Sequence, residues 1–348
     1  MTPITVTSMR EEHLPAVVAC LVAQGLRLAA LDPRLRAARS PHQVEAALTE
    51  HYVQETADLV ALDAIGRVRG YTLAGVWELP EQSSLHAFLS PKNGVARLLA
   101  LPDPAGPDAP AVAEALLVML SQVWHDQRTT GDLIRWPVAD RWLLPLLCAQ
   151  GFQLDSVCAL RALSPLRRPN DAPGLRIRPA QPAEEERLVA LFEEELRAHE
   201  PYTPFVQRCP AARSAFRRKL ARLFAGERFQ DGAPLVPVAE RDGESVAMIQ
   251  STLVEITSDE EPGFTPPGLY GRIDNLSVGE SWRGQGIGRA LVQVAFDAFA
   301  ATGLPLSGWL LWYNPENPLA AAFWPRLDFV PLWSTYQRRH PEVRDGEH

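Results

Sequence analysis

The sequence predicts an α/β fold of the α+β kind, built twice, each copy a mixed central sheet flanked by helices. Three observations predict it. A proline-rich segment with no apolar period, residues 164–174, divides the 348 residues almost in half. The two sides then repeat one order of elements, at an offset that grows from 171 to 177 residues as a duplication with loop insertions would produce. With 46% hydrophobic and 22% charged residues, each side can bury a core of its own. The expected boundaries are 1–163, a linker at 164–174, and 175–348.

The elements follow in order. Ile4-Thr5-Val6 opens the first half as a short strand, and Leu14, Val17, Val18 and Leu21 mark an amphipathic helix behind it; Leu175-Arg176-Ile177 and Leu188, Val189 and Phe192 do the same in the second. Strands with hairpin signals come next, among them Arg241-Asp242-Gly243-Glu244 between two apolar runs. A long helix carries Val112, Ala115, Leu116, Met119 and Val123 in one half and Ile287, Leu291, Val294, Ala298 and Phe299 in the other. Each half closes with a strand (Leu133 to Trp136; Trp309 to Tyr313), an apolar helix, and a turn at Gly151-Phe152 or Asp328-Phe329.

Composition narrows the function. A formal net charge of −8 disfavours nonspecific attraction to nucleic acid or to an anionic membrane. Uninterrupted apolar runs such as Leu116 to Leu120 are far too short to span a bilayer, and the first residues carry no secretory pattern, so a cytoplasmic location is expected. Four cysteines without a C-x-x-C and eight scattered histidines suggest neither a disulfide framework nor a metal site. The only lysines, Lys92 and Lys219, have no P-loop or Schiff-base context.

One stretch stands out. The strand-like Ile273-Asp274-Asn275-Leu276-Ser277-Val278 leads through Gly279 to Trp282 into Arg283-Gly284-Gln285-Gly286-Ile287-Gly288-Arg289 and a helix. Alternate glycines let successive backbone N–H groups converge, and the helix start adds unpaired donors and the positive end of its dipole. The combination is a pyrophosphate cradle. A Walker loop would need Gly-Lys-Ser/Thr, and a dinucleotide fingerprint would need an acidic residue about 20 positions on, where Leu306 and Ser307 stand.

With those residues in place, the second half resembles the GNAT superfamily, the GCN5-related N-acetyltransferases, whose signature Arg/Gln-x-x-Gly-x-Gly/Ala is met by Arg283, Gly286 and Gly288. The resemblance implies a mostly antiparallel sheet and acetyl-CoA as cosubstrate. It also implies that the backbone of Leu276, Ser277 and Val278 pairs with the pantetheine arm while Arg283 to Arg289 hold the pyrophosphate. A second family pattern is partly met by Asn317, Ala320, Phe323, Trp324, Asp328 and Phe329. Trp324 stands where the family has its acidic tyrosine, and indole cannot donate that proton. Over the first half the resemblance is weaker. At an offset of 172, Ala111 to Leu116 replace the arginine-glycine loop; in the last helix, Asp140 and Leu147 stand where Asn317 and Trp324 stand. A degenerate first copy beside one working site is expected.

Acyl transfer needs a neutral amine, so a base or a desolvating pocket is required. Asp274 and Glu255 are the candidate bases. Tyr313, Tyr270 and Tyr336 are candidate acids in place of the missing tyrosine. Substrate selection is expected from His199 to Phe205 and from a helix with Arg213, Arg217, Arg218 and Arg222, whose arginines read either as a solvated face or as a site for an acidic substrate. The implied function is acetyl-CoA-dependent transfer to a small-molecule or peptide amine in the second half, with the halves packed as an intramolecular pseudo-dimer. Two alternatives stay open: a mycothiol-synthase-like acetylation of an amino-sugar conjugate, and a noncatalytic acyl-CoA sensor or scaffold.

Overall fold

The computed structural model describes residues 3–51, 57–166, 174–203, 205–258 and 263–340; most of the expected linker lies outside them. In the first half, β1 (Thr5–Ser8), α1 (Leu14–Leu31) and α2 (Pro41–His51) precede β2 (Ala57–Leu62), β3 (Val68–Glu78) and β4 (Lys92–Ala100). Then come α3 (Ala109–Asp126), β5 (Gly131–Pro137), α4 (Leu144–Ala149) and β6 (Gln153–Arg161). The second half repeats this with β7 (Arg176–Pro179), α5 (Glu185–His199), α6 (Pro210–Phe224), β8 (Pro237–Arg241), β9 (Glu244–Ile256) and β10 (Gly268–Val278). It ends with α7 (Ile287–Ala300), β11 (Leu306–Tyr313), α8 (Pro318–Phe323) and β12 (Val330–Arg339).

All twelve strands form one mixed sheet, in the order β1-β2-β3-β4-β5-β12-β6-β11-β10-β9-β8-β7. Among the described residues, only β4 with β5 and β10 with β11 run parallel. The order contains an exchange. The last strand of each half leaves its own half: β6 pairs with β11 from Val157 opposite Tyr313 to Arg161 opposite Trp309, and β12 lies between β5 and β6. Side chains follow their strands. Val157 and Ala159 of β6 sit in the core built on α7, and Tyr336 of β12 sits in the core built on α3. Arg161 is buried, donating to the Leu327 carbonyl at 2.7 Å with its guanidinium over Phe296. The halves thus interlock as in a domain-swapped dimer joined into one chain. The sequence reading expected a pseudo-dimer but not exchanged strands.

Local chemistry accounts for the elements. Asp242 and Gly243 both have positive φ, the two left-handed residues that a tight β-hairpin requires, so β8 and β9 turn where the sequence predicts. On α7 the buried stripe is Ile287, Leu291, Val292, Ala295, Phe296 and Phe299, spaced for one helical face. On α3 it is Val112, Ala113, Leu116, Leu117, Leu120 and Trp124, which turns the expected Ala115, Met119 and Val123 to the margin. One expectation needs correcting. Glu11–Leu31 is long and apolar enough, by length and composition, to cross a bilayer, although Gln24 and Arg27 interrupt its apolar run. Here Val17, Val18 and Leu28 of α1 pack into cores of the sheet.

Candidate acyl-transfer site

The site begins with a bulge. Along β10 the register against β9 shifts between Ile273 and Asn275, leaving Asp274 as the extra residue. Pairing of β10 with β11 ends at Ile273, so Leu276 to Val278 keep one backbone edge without a strand partner. The two strands splay around a cleft of about 380 Å³ that runs through the sheet from the α7 face to the α5 face.

On the α7 face the cleft meets the glycine loop. Gly284 and Gly286 both adopt left-handed backbone, and a Cβ at either would meet open space, so the loop's conformation rather than crowding demands glycine. Gly286 caps α7 with no side-chain hydrogen bond, and the first N–H groups of the helix remain as anion donors. A Cβ at Gly288 would make ordinary van der Waals contact with Phe323 at 3.4 Å and Leu276 at 3.5 Å. Arg283, Arg289 and Arg326 line the same end. Arg283 Nε donates to the Val278 carbonyl at 3.1 Å. Gln285 faces away from the cleft, accepting from Arg241 at 2.6 Å and donating to the Ser281 carbonyl. A free strand edge, an uncapped helix start and three guanidiniums fit a pantetheine chain and its pyrophosphate.

The acetyltransferase (GNAT) family profile matches residues 188–329, which contain all of these features. That match lies wholly within the second half of the chain. Among solved structures, a GCN5-related N-acetyltransferase from Sphaerobacter thermophilus has the same fold over 99% of this chain and 98% of its own, at 16% identity and a TM-score of 0.53. A GCN5-related glucosamine N-acetyltransferase region of a fungal multi-domain GH3 β-N-acetylglucosaminidase matches 97% of this chain and 38% of that one, at 14% identity and a TM-score of 0.51. No curated protein sequence matches the chain.

The first half has a bulge at the corresponding place but closes the cleft. Between Leu73 and Ala74 of β3 the register shifts against β4, which makes Arg97 the counterpart of Asp274 and Leu99 to Leu101 the counterparts of Leu276 to Val278. There the buried Gln24 of α1 donates to the Leu99 carbonyl and accepts from the Leu101 amide, both at 2.7 Å. A side-chain amide occupies the edge that the second half leaves open. The loop comparison also corrects the offset of 172. Since β4 ends at Ala100 and α3 begins at Ala109, the segment matching the glycine loop is 101–108, containing Asp103 and Asp108, and Ala111 to Leu116 lie inside α3. Asp140, aligned with Asn317, forms a two-pronged ion pair with Arg27 at 2.9 and 2.7 Å.

The candidate catalytic side chains of the second half fare differently. Asp274 is committed: its oxygens accept from Arg272 Nε at 2.6 Å, Thr252 Oγ1 at 2.7 Å and Gln250 Nε2 at 3.4 Å. Glu255 is exposed on β9 and does not line the cleft, because it lies opposite Leu269, before the strands splay. Tyr270 donates to the Pro266 carbonyl at 2.9 Å, and Tyr336 belongs to the first half's core. Tyr313 does line the cleft, on the face of Leu311 and α7; burial raises its pKa above the ordinary tyrosine value, keeping the phenol protonated. Trp324 is buried against Phe323 and Phe329 and forms part of the cleft wall. The α6 arginines are engaged: Arg213 with Glu193, Arg217 with Glu185 and Glu186, Arg218 with the Gln82 carbonyl, and Arg222 with Glu227.

On the α5 face the structure brings in a pair that the sequence reading missed as a base. His199 Nε2 lies 2.9 Å from Glu195 Oε1, and both line the cleft. Asn317 caps α8 by accepting from the Leu319 amide through Oδ1, so its Nδ2 faces His199 Nδ1, at 3.5 Å. The imidazole therefore carries its proton on Nε2, toward Glu195, and turns its Nδ1 lone pair toward the Asn317 amide that lines the cleft. Burial alone would lower the His199 pKa, but the Glu195 charge and hydrogen bond, with Asp155 behind them, raise it above the ordinary value. Asp155 comes from exchanged β6 and accepts from Thr203 at 3.3 Å, so the first half supports the loop that follows His199. The signal was the i,i+4 spacing of Glu195 and His199 at the end of α5.

Proposed function

We propose that the chain is an acetyl-CoA-dependent N-acetyltransferase with one catalytic site, in its second half. The observation that carries this reading is the continuous cleft between β10 and β11, with an anion-binding helix start at one end and a carboxylate-oriented histidine at the other. Leu276, Ser277 and Val278 would hold the pantetheine arm along their free edge. Arg283, Gly284, Gln285, Gly286, Ile287, Gly288 and Arg289 would hold the pyrophosphate, Gln285 through its backbone. Asn317 and Trp324 would border the arm.

The coenzyme supplies the acyl group as a thioester, whose C–S bond breaks as the amide N–C bond forms. His199 Nδ1 exchanges its long contact with Asn317 Nδ2 for the proton that the amine nitrogen loses, and Glu195 stabilises the resulting imidazolium. The Tyr313 hydroxyl, without a hydrogen-bond partner among the described residues, supplies a proton to the departing sulfur. Asp274 serves as a fixed charge that holds Arg272. In the first half, Gln24 on the equivalent edge and two aspartates in the equivalent loop favour a single site.

Calorimetric titration of acetyl-CoA into the full chain, followed by a thiol-release assay over a panel of amines, tests this reading. One site per chain with turnover of at least one amine is the expected result. Two sites would overturn the assignment of one working half, and binding without turnover of any amine would overturn the transferase.

A further inference from the structure

At the α5 end of the cleft, Asn275 and Trp312 have no part in the reading above. Asn275 is only 5% exposed. Its Nδ2 donates to Glu195 Oε2 at 3.0 Å, which fixes the amide orientation. Oδ1 is then an acceptor, and it is buried with no hydrogen-bond partner in a residue that lines the cleft. Buried acceptors are nearly always satisfied, so the orphan oxygen marks where a donor from a ligand belongs.

Beside it lies an indole. Strand alternation sends Leu311 and Tyr313 into the α7-face core and turns Trp312 to the α5 face, where it stays 40% exposed while lining the cleft. Its ring is braced edge-on by Trp333 at 6.0 Å, and the Arg135 guanidinium sits over Trp333 at 5.3 Å. A large apolar ring, held rigid and left wet beside an unpaired acceptor, is the composition of a binding platform.

We infer that the acceptor is an amine borne next to a flat apolar face. This rests on the acyl-transfer reading. The amine donates one N–H to Asn275 Oδ1, which sets its nitrogen beside the Glu195–His199 pair, and the flat face covers Trp312. An aryl ring and the C–H face of a pyranose share that chemistry, whereas a linear alkylamine lacks it.

The test measures binding of 2-phenylethylamine, glucosamine and hexylamine to the full chain saturated with coenzyme A, by calorimetry, alongside turnover with acetyl-CoA. One of the two flat amines should bind at least tenfold more tightly than hexylamine, and which one it is separates an aryl from a sugar acceptor. Trp312→Ala should remove that preference, Trp312→Phe should retain most of it, and neither should change coenzyme affinity or the thermal midpoint greatly. Equal binding of all three amines, no binding of any, or a preference that survives Trp312→Ala would overturn the inference. Selective binding with no turnover would overturn the transferase and leave the subsite standing; turnover without selectivity would do the reverse.

Discussion

Glu195 and His199 stand one helical turn apart at the end of α5, with carboxylate and imidazole 2.9 Å from each other and both facing the cleft. Because the Glu195 charge and hydrogen bond outweigh burial and raise the His199 pKa, the base form is lost as pH falls through a value above the ordinary 6.5. His199→Asn should lower kcat by about a hundredfold or more without weakening acetyl-CoA binding. Glu195→Gln should shift the acid limb of the pH–rate profile to lower pH, with Asp155 as the remaining carboxylate acting on the ring. An unmoved limb would remove Glu195 from this role.

The glycine loop gives a second prediction. Gly286→Glu places a side chain and a negative charge where the α7 amides converge, and should abolish acetyl-CoA binding in calorimetry. The matched change in the first half is Ala105→Glu, at an exposed position of the segment that corresponds to the loop. It should leave affinity and stoichiometry intact. Ala113→Glu would be a poor control, since Ala113 is fully buried on α3.

Gln24 should matter for stability and not for catalysis. Gln24→Leu strips partners from the Leu99 carbonyl and Leu101 amide, and each buried backbone group left unsatisfied costs about 1–3 kcal/mol. The melting temperature should fall, while kcat with the preferred amine stays within about twofold of wild type. A variant as stable as the parent would show that water replaces the side chain.

The exchanged strands predict that the halves do not survive alone. Expressed separately, residues 1–165 and 174–348 would each lack one neighbouring strand and bare a long sheet edge. Each should aggregate, and co-expression should restore a soluble one-to-one complex that binds acetyl-CoA. Two independently soluble monomers, by size-exclusion chromatography, would contradict the exchange.

Acid should loosen the start of the second half first. Hydrogen bonding from Arg178, opposed by burial and aided by Ser245 and the Gln181 amide, holds the Glu184 pKa at about 2, below the ordinary 4.5. A depressed carboxylate contributes stability that is complete above the ordinary value and lost as pH falls through the folded one. The melting temperature of the wild type should therefore drop between about pH 4.5 and pH 2 more than that of Glu184→Gln. Parallel curves would assign acid sensitivity elsewhere.

How much of this was legible in the sequence follows from the range of each interaction. The glycine loop, the β8–β9 hairpin and the stripe on α7 are local. Left-handed φ, a helix start and a 3.6-residue period are properties of consecutive residues, so the sequence by itself determined the glycine loop and the repeated order of elements. The base was half-visible. Glu195 and His199 have helical spacing in any reading, but only the packing of α5 over the splayed end of β10 distinguishes a cleft pair from an ordinary surface pair. Asp274 was chosen for its position on the right strand, and Glu255 for the strand beside it; the tertiary structure engages one and exposes the other.

Three features had no sequence signal: the exchange of β6 and β12, the insertion of Gln24 into β4's open edge, and the orphan oxygen of Asn275. Gln24 and Leu101 are 77 residues apart, and β6 meets a strand about 150 residues away. Such contacts join segments far apart in the chain, and hydrogen-bond complementarity between distant edges decides which half keeps an open cleft. The sequence by itself determined what each segment could become; only the tertiary structure decided which of the two copies would have room for a ligand, because backbone edges are satisfied by whatever group the whole fold brings within reach.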